Sequence, residues 1–157
     1  MLQIHVVLSL IGMVCGFVVL YGLVIGRQYG AWTAAFLVAT ILTSITGFPL
    51  APFGFDPPRA IGVISLVLLA GAVVALYVFQ LAGPWRWVYI VGATTALYLN
   101  VFVGVVQAFQ KLPFLQPLAP TQSEPPFIVA QLLLLVAFVA LGALALVRFY
   151  PRIRTTA

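Results

Sequence analysis

Five long apolar runs, at 4–26, 32–48, 61–82, 87–109 and 127–149, constrain this chain more than any other feature. Lipid offers no hydrogen-bond partners to the peptide backbone, so a segment crossing a bilayer must be a helix or part of a closed barrel. A spanning helix needs about 20 residues, within a range of roughly 17–25. All five runs reach that range. The second is at its short end, where a re-entrant segment is the alternative to a full span. Composition excludes other classes. The 157 residues are 64% hydrophobic and 6% charged, too few polar groups to cover a water-facing globule. Disordered chains are poor in aromatics and rich in charge, whereas this one is 13% aromatic. The expected fold is all-α: a polytopic membrane protein, one domain over 1–157, built as a bundle of five transmembrane helices.

The first run is read as a retained helix. Its n-region, Met1-Leu2-Gln3, has no Lys or Arg, and its apolar stretch exceeds the usual 7–15 residues of a signal peptide. The basic residues then set an orientation. With the N-terminus outside, Arg27, Arg86, Arg148, Arg152 and Arg154 are cytoplasmic. Arg59 and Lys111 are outside, with both acids, Asp56 and Glu124. That distribution obeys the positive-inside rule and predicts N-out, C-in. Tyr29, Trp32, Trp85, Trp87, Tyr89 and Tyr150 fall at the cytoplasmic interface, where amphipathic rings anchor helices. The net charge of +5 is scattered rather than patched, so no nucleic-acid partner is expected.

Nine of the eleven prolines fall in the two outer loops, beside Phe48, Phe53, Phe55 and Phe114. Proline stiffens these connections. Asp56 can cap the third helix, with Pro57 at its first position. Thr121-Gln122-Ser123-Glu124 matches a capping box by pattern. Pro125 follows directly and disfavours helical geometry at Glu124. The fifth helix is therefore expected to begin at Pro125, with Ser123 or Glu124 near its cap.

Small residues mark packing faces. The first run contains Gly12-x-x-x-Gly16 and Gly22-x-x-x-Gly26, and the fourth carries Gly92, Ala96, Asn100, Gly104 and Ala108 four apart. Such spacing lets helix backbones approach closely in lipid, either between two copies of the chain or inside its own bundle.

Polar residues inside the spans gather in the outer half. They are His5 and Ser9 in the first run, Thr43, Ser44 and Thr46 in the second, Ser65 in the third, Gln107 in the fourth and Gln131 in the fifth. Asn100 lies near the midplane. A primary amide facing hydrocarbon loses hydrogen bonds at a cost of several kcal/mol. The seven-residue spacing of Asn100 and Gln107 returns them to one helix face within about 20°. These positions predict an outer polar pocket lined by His5, Ser9, Thr43, Thr46, Arg59, Asn100, Gln107 and Gln131, under the loops holding Phe53 and Phe114. The competing reading is interhelical hydrogen bonding with no cavity.

Reaction chemistry is sparse. No Asp, Glu, Lys or Arg occupies the centre of a run, where ion-coupled carriers usually place one. Cys15 is the single cysteine and His5 the single histidine, so neither a disulfide nor a metal set is available within one chain. No cofactor is expected. The leading reading is non-enzymatic: a membrane subunit or binding protein for an apolar ligand (lipid or quinone-like), or for a partner membrane protein or second copy. Alternatives are a small-molecule transporter component, and an intramembrane enzyme acting on a lipid-linked substrate through His5, Asp56, Arg59 or Glu124.

Three stretches carry a resemblance: Leu42-Thr43-Ser44-Ile45-Thr46-Gly47-Phe48, Ala96-Leu97-Tyr98-Leu99-Asn100-Val101-Phe102, and Leu118-Ala119-Pro120-Thr121-Gln122-Ser123-Glu124-Pro125-Pro126-Phe127. Their wording resembles that of a group of small bacterial integral membrane proteins without an assigned activity. The resemblance covers most of the chain. It implies a bacterial inner (cytoplasmic) membrane location and supplies no ligand or catalytic residue.

Overall fold

The computed structural model describes residues 2–49 and 57–150. Asp56, Phe53, Phe55, Arg152 and Arg154 lie outside the described residues, and with them the expected cap, two loop aromatics and two orientation charges. The described chain is helical, and no strand occurs among the described residues. The spanning helices are α1 (Leu2–Val24), α2 (Gly30–Gly47), α3 (Pro57–Val73), α4 (Trp85–Lys111) and α5 (Pro125–Arg148). A π-helical turn, Val74–Val78, extends α3, and a short 3-10 turn, Gln116–Leu118, lies between α4 and α5. All five helices are long and apolar enough to cross a membrane. The second is continuous over 18 residues. The protein is an integral membrane protein by architecture, and large apolar side chains such as Val67, Leu133, Val136 and Val147 project from its flanks.

Several boundaries move from their expected places. The third span stops at Val78 rather than Ala82. Gln80 and Leu81 adopt left-handed φ angles of 47° and 62°. These reverse the chain, so Leu81 folds back, donates its N–H to Ala75 O at 2.9 Å and is buried. Phe79 then stacks on Trp85 at 3.9 Å across the turn. The first helix ends at Val24, so Gly26 belongs to the turn beyond it, with φ +74°. Gly22 and Gly26 therefore do not form a helix-face pair. A Cβ at Gly26 would lie 3.0 Å from Arg148 O, and the turn uses glycine for both reasons.

The fifth helix begins at Pro125, with Glu124 at its cap position and no side-chain cap bond. The Thr121–Glu124 pattern closes the preceding turn instead. Glu124 accepts from Thr121 N at 3.1 Å, Thr121 Oγ1 at 2.8 Å and Ser123 N at 3.1 Å.

The bundle has a solid half and a hollow half. The buried core comes from the C-terminal half of α1 (Val19, Leu20, Leu23), the start of α2 (Phe36, Leu37), the end of α3 (Leu69, Ala72) and the start of α4 (Tyr89, Ile90, Leu97), with Phe138, Ala145 and Phe149. Tyr89 is fully buried against Phe149. That corrects its expected place in the interfacial belt: it sits one turn into α4, on the face turned to the core. Trp32, Trp87 and Tyr150 are exposed at this end.

Close backbone approach makes the solid half compact. A Cβ at Gly92 would sit 2.9 Å from the backbone oxygen of Leu68, and one at Gly16 would press on Leu97 and come within 2.9 Å of Phe36. Gly12 likewise faces Thr40 and Asn100. The Gly12–Gly16 face is therefore used inside the bundle. Arg86, at the start of α4, donates from one Nη to Leu146 O at 2.9 Å and Phe149 O at 2.7 Å. It lies 4.4 Å from the centre of the Tyr150 ring. A cation on the exposed carbonyls of a helix C-terminus also complements the helix dipole.

Candidate ligand cavity

The other half of the bundle encloses a cavity of about 620 Å³ between α1, α2, α3 and α4. It occupies the end where α1 and α3 begin and α2 and α4 finish. His5 and Thr46 lie 3.1 Å apart there, which ties the start of α1 to the end of α2. Its walls hold apolar side chains (Leu2, Val6, Leu10 and Met13 on α1; Leu99 and Val103 on α4) and polar ones from all four helices.

Of the expected pocket residues, His5, Ser9, Thr43, Arg59, Asn100 and Gln107 line this cavity. Thr46 stands behind His5, and its hydroxyl donates to Leu42 O at 2.7 Å, so it supports the wall without lining it. Gln131 is a correction. It lies on α5, which packs against α1 and α4 and contributes nothing to the lining. Its amide donates to Phe102 O at 3.3 Å, and its Oε1 is buried without a partner. Phe114 is exposed in the α4–α5 connection and does not lie over the cavity.

Asn100 joins both competing expectations. Its Oδ1 accepts from Ser9 Oγ at 2.8 Å, and its Nδ2 donates to Ser9 O at 3.3 Å. The amide thus ties α4 to α1, and it also forms part of the cavity floor. Each of its polar atoms keeps further hydrogen-bonding capacity, since a primary amide offers two donors and two acceptor lone pairs. Thr43 and Ser44 return their hydroxyl protons to Ala39 O and Thr40 O on their own helix. The polar groups at depth are therefore mostly partnered. Thr40 is the exception: it is buried beside Gly12 with its hydroxyl unpartnered.

The bundle-end rim differs. Arg59 Nε donates to Phe48 O at 3.3 Å, which fixes the arginine beside the end of α2. Gln107 and Lys111 make no hydrogen bond or ion pair with any described residue. Among the described residues that line the cavity there is no carboxylate. Glu124 is held by Thr121 and Ser123 in the α4–α5 connection. His5 and Glu124 therefore do not converge on a common substrate position.

The expected list lacked Thr40 and Met13, and it ended the α4 face at Gln107. The signal for α4 was available: Asn100, Gly104, Gln107 and Lys111 follow alternating steps of four, three and four, which keep one helix face. Thr40 continues the α2 face one turn below Ser44. Met13 had no signal, since a methionine in an apolar run reads as core.

Compared with protein-family models, curated proteins and solved structures, the chain matches none.

Proposed function

We propose that this membrane protein is a non-enzymatic binding protein that holds a lipid or quinone-like molecule in the four-helix cavity. One observation carries the reading: a 620 Å³ cavity, well inside the roughly 300–1,000 Å³ of small-molecule sites. Its mostly apolar walls with a few polar groups are the usual chemistry of such sites. A bundle whose polar residues served only as interhelical glue would have closed on itself there, as it does in the other half.

The charge count supports an orientation with the N-terminus outside, so the cavity belongs to the outer leaflet. The resemblance noted above supports a bacterial inner membrane. A partner membrane protein or second copy would have to use a face other than Gly12–Gly16, which the bundle already occupies.

Native mass spectrometry of the protein released from gentle detergent tests the reading. A bound small molecule is expected on the wild type and absent from Gly104→Phe, whose ring enters the cavity. Equal ligand occupancy in both would overturn it.

A further inference from the structure

Three observations bear on what the cavity holds and how it is reached. The first is its mouth. Leu2, Val6 and Leu10 line the cavity and are also exposed on the flank of α1, whereas Thr40, Thr43 and Ser65 on the α2 and α3 walls are buried. The ties of α1 to α4 lie deeper, at Ser9 with Asn100 and at Gly16, which faces Leu97. At the level of the mouth α5 packs on α4, through Phe127 against Phe109 and Gln131 on Phe102 O. The cavity therefore opens sideways, between α1 and α4, onto the apolar flank of the bundle. The second observation is depth. The 27 residues of α4 span about 40 Å at 1.5 Å per residue, which matches a ~30 Å hydrocarbon core with about 5 Å of interface at each end. Gln107 precedes Lys111, the last residue of α4, by four positions, so it stands about 6 Å in from the helix end. That is the edge of the hydrocarbon, where the ester carbonyls of a diacyl lipid lie. The third is hydrogen-bonding capacity. The Gln107 amide faces the cavity and makes no hydrogen bond with any described residue. Asn100, about 10 Å deeper on the same helix face, is held by Ser9.

We propose that the cavity takes an acyl chain of an ester-linked bilayer lipid through the gap between α1 and α4, with the ester carbonyl accepting a hydrogen bond from the Gln107 amide. The inference rests on the ligand-binding reading above and adds the class of ligand and the residue that anchors it. The chain runs inward from Gln107 along Val6, Leu10 and Val103 toward Met13, an apolar path that ends at the engaged Ser9–Asn100 pair. A quinone carries its two carbonyls on opposite edges of one ring. The second amide on this wall is a further two turns down and already bonded, so a ring at Gln107 would leave one carbonyl unmatched. An acyl ester needs one donor at the hydrocarbon edge and none below it, which is what this wall offers.

The test is competitive loading of the full chain in detergent with equal amounts of dioleoyl phosphatidylcholine and its dioleyl ether analogue, read by native mass spectrometry. Headgroup and chain length are the same, so only the ester carbonyls decide. A hydrogen bond of the strength found between helices in lipid, about 0.6 kcal/mol on average, corresponds to about a threefold preference. The ester lipid is expected to exceed the ether lipid by about that factor on the wild type. Gln107→Leu keeps an apolar wall and removes the donor, so it should bring the ratio to about one while both lipids stay bound. Gln110→Leu, at an exposed position outside the cavity lining, should leave the preference unchanged.

Equal retention of the two lipids by the wild type, or a preference that survives Gln107→Leu, would overturn the ester anchor. If Gly104→Phe still removed both lipids in that case, the ligand-binding reading would stand alone. If Gly104→Phe retained both, the cavity would not be the lipid site and both readings would fall. Should that variant not fold, as judged by helical circular dichroism, Val103→Phe fills the same space. Displacement of the ester lipid by an equal concentration of triacetin, which has ester groups and no long chain, would show that the site reads a soluble ester and would overturn the lipid.

Discussion

Arg86 and Glu124 show how single side chains finish what the apolar pattern begins. Arg86 satisfies two carbonyls at the end of α5 from the start of α4. Hydrogen bonds to charged groups are worth about 1.5–3 kcal/mol each, and carbonyls left without a donor add a desolvation penalty. Arg86→Met is therefore expected to cost about 2–3 kcal/mol, seen as a lower thermal midpoint in detergent. A midpoint equal to that of the wild type would mean that lipid or water replaces the clamp. Glu124 makes a pH prediction. Desolvation pushes its pKa up, but the hydrogen bonds from the Thr121 hydroxyl and from the Thr121, Ser123 and Glu124 backbone outweigh it, and the carboxyl titrates below its ordinary range. A depressed carboxyl pKa stabilises the turn fully above its unfolded value, and the effect is lost as pH falls through the folded value. The α4–α5 turn should loosen only in that acidic window. Thr121→Val should move the titration of Glu124 upward, measured by carbon NMR of its carboxyl. An unmoved titration would remove Thr121 as the cause.

At the scale of helices, glycine spacing means different things in the two halves of the bundle. Steps of four drift by about 40° around a helix, so the ladder on α4 predicts a tight face only among its middle members. The structure divides it. Gly92 meets the backbone of Leu68 on α3, whereas Gly104 meets only the flexible end of Met13 and lines the cavity. Gly92→Ala must push two backbones apart, and overpacking of this kind costs about 1–3 kcal/mol. Gly104→Ala has a methionine tip that can swing aside, so its cost should be within about 0.5 kcal/mol. Thermal unfolding of the two variants in one detergent makes the comparison. A larger loss for Gly104→Ala would show that the cavity half packs more tightly than its geometry indicates. Ser9→Ala removes the donor to Asn100 Oδ1 and should cost about 0.6 kcal/mol, the average for interhelical bonds in lipid.

The described residues combine an odd number of spans with an asymmetric interior. The N-terminus of α1 and the C-terminus of α5 lie at opposite ends, as the contacts of His5 with Thr46 and of Gly26 with Arg148 require. Cysteines introduced at Ser123 and Gln28, both exposed, should label from opposite sides of the membrane in intact cells once Cys15, which is buried, is left in place as an internal control. Under the N-out orientation Ser123→Cys reacts from outside and Gln28→Cys does not. Reaction of both from outside would defeat the five-span topology, and the reverse pattern would invert the orientation.

The five spans were legible in the sequence because burial in lipid is a property of each segment alone: a run of about 20 apolar residues needs no partner to justify crossing a membrane. Pro125 likewise announced the start of α5 locally. The inward direction of Asn100 and Gln107 was legible for a related reason, since a lipid-facing amide is costly wherever its helix packs. What each face packs against was not legible. The relative placement of the helices decides that Gly92 touches α3 while Gly104 faces a void. It also puts α5 away from the cavity, so that Gln131 bonds to Phe102 instead of lining the site. Nothing local to Tyr89 distinguishes a core ring from an interfacial one. The cavity itself is a difference between the volume that four helices enclose and the volume their side chains fill. No single segment encodes that difference, and only the assembled bundle sets it.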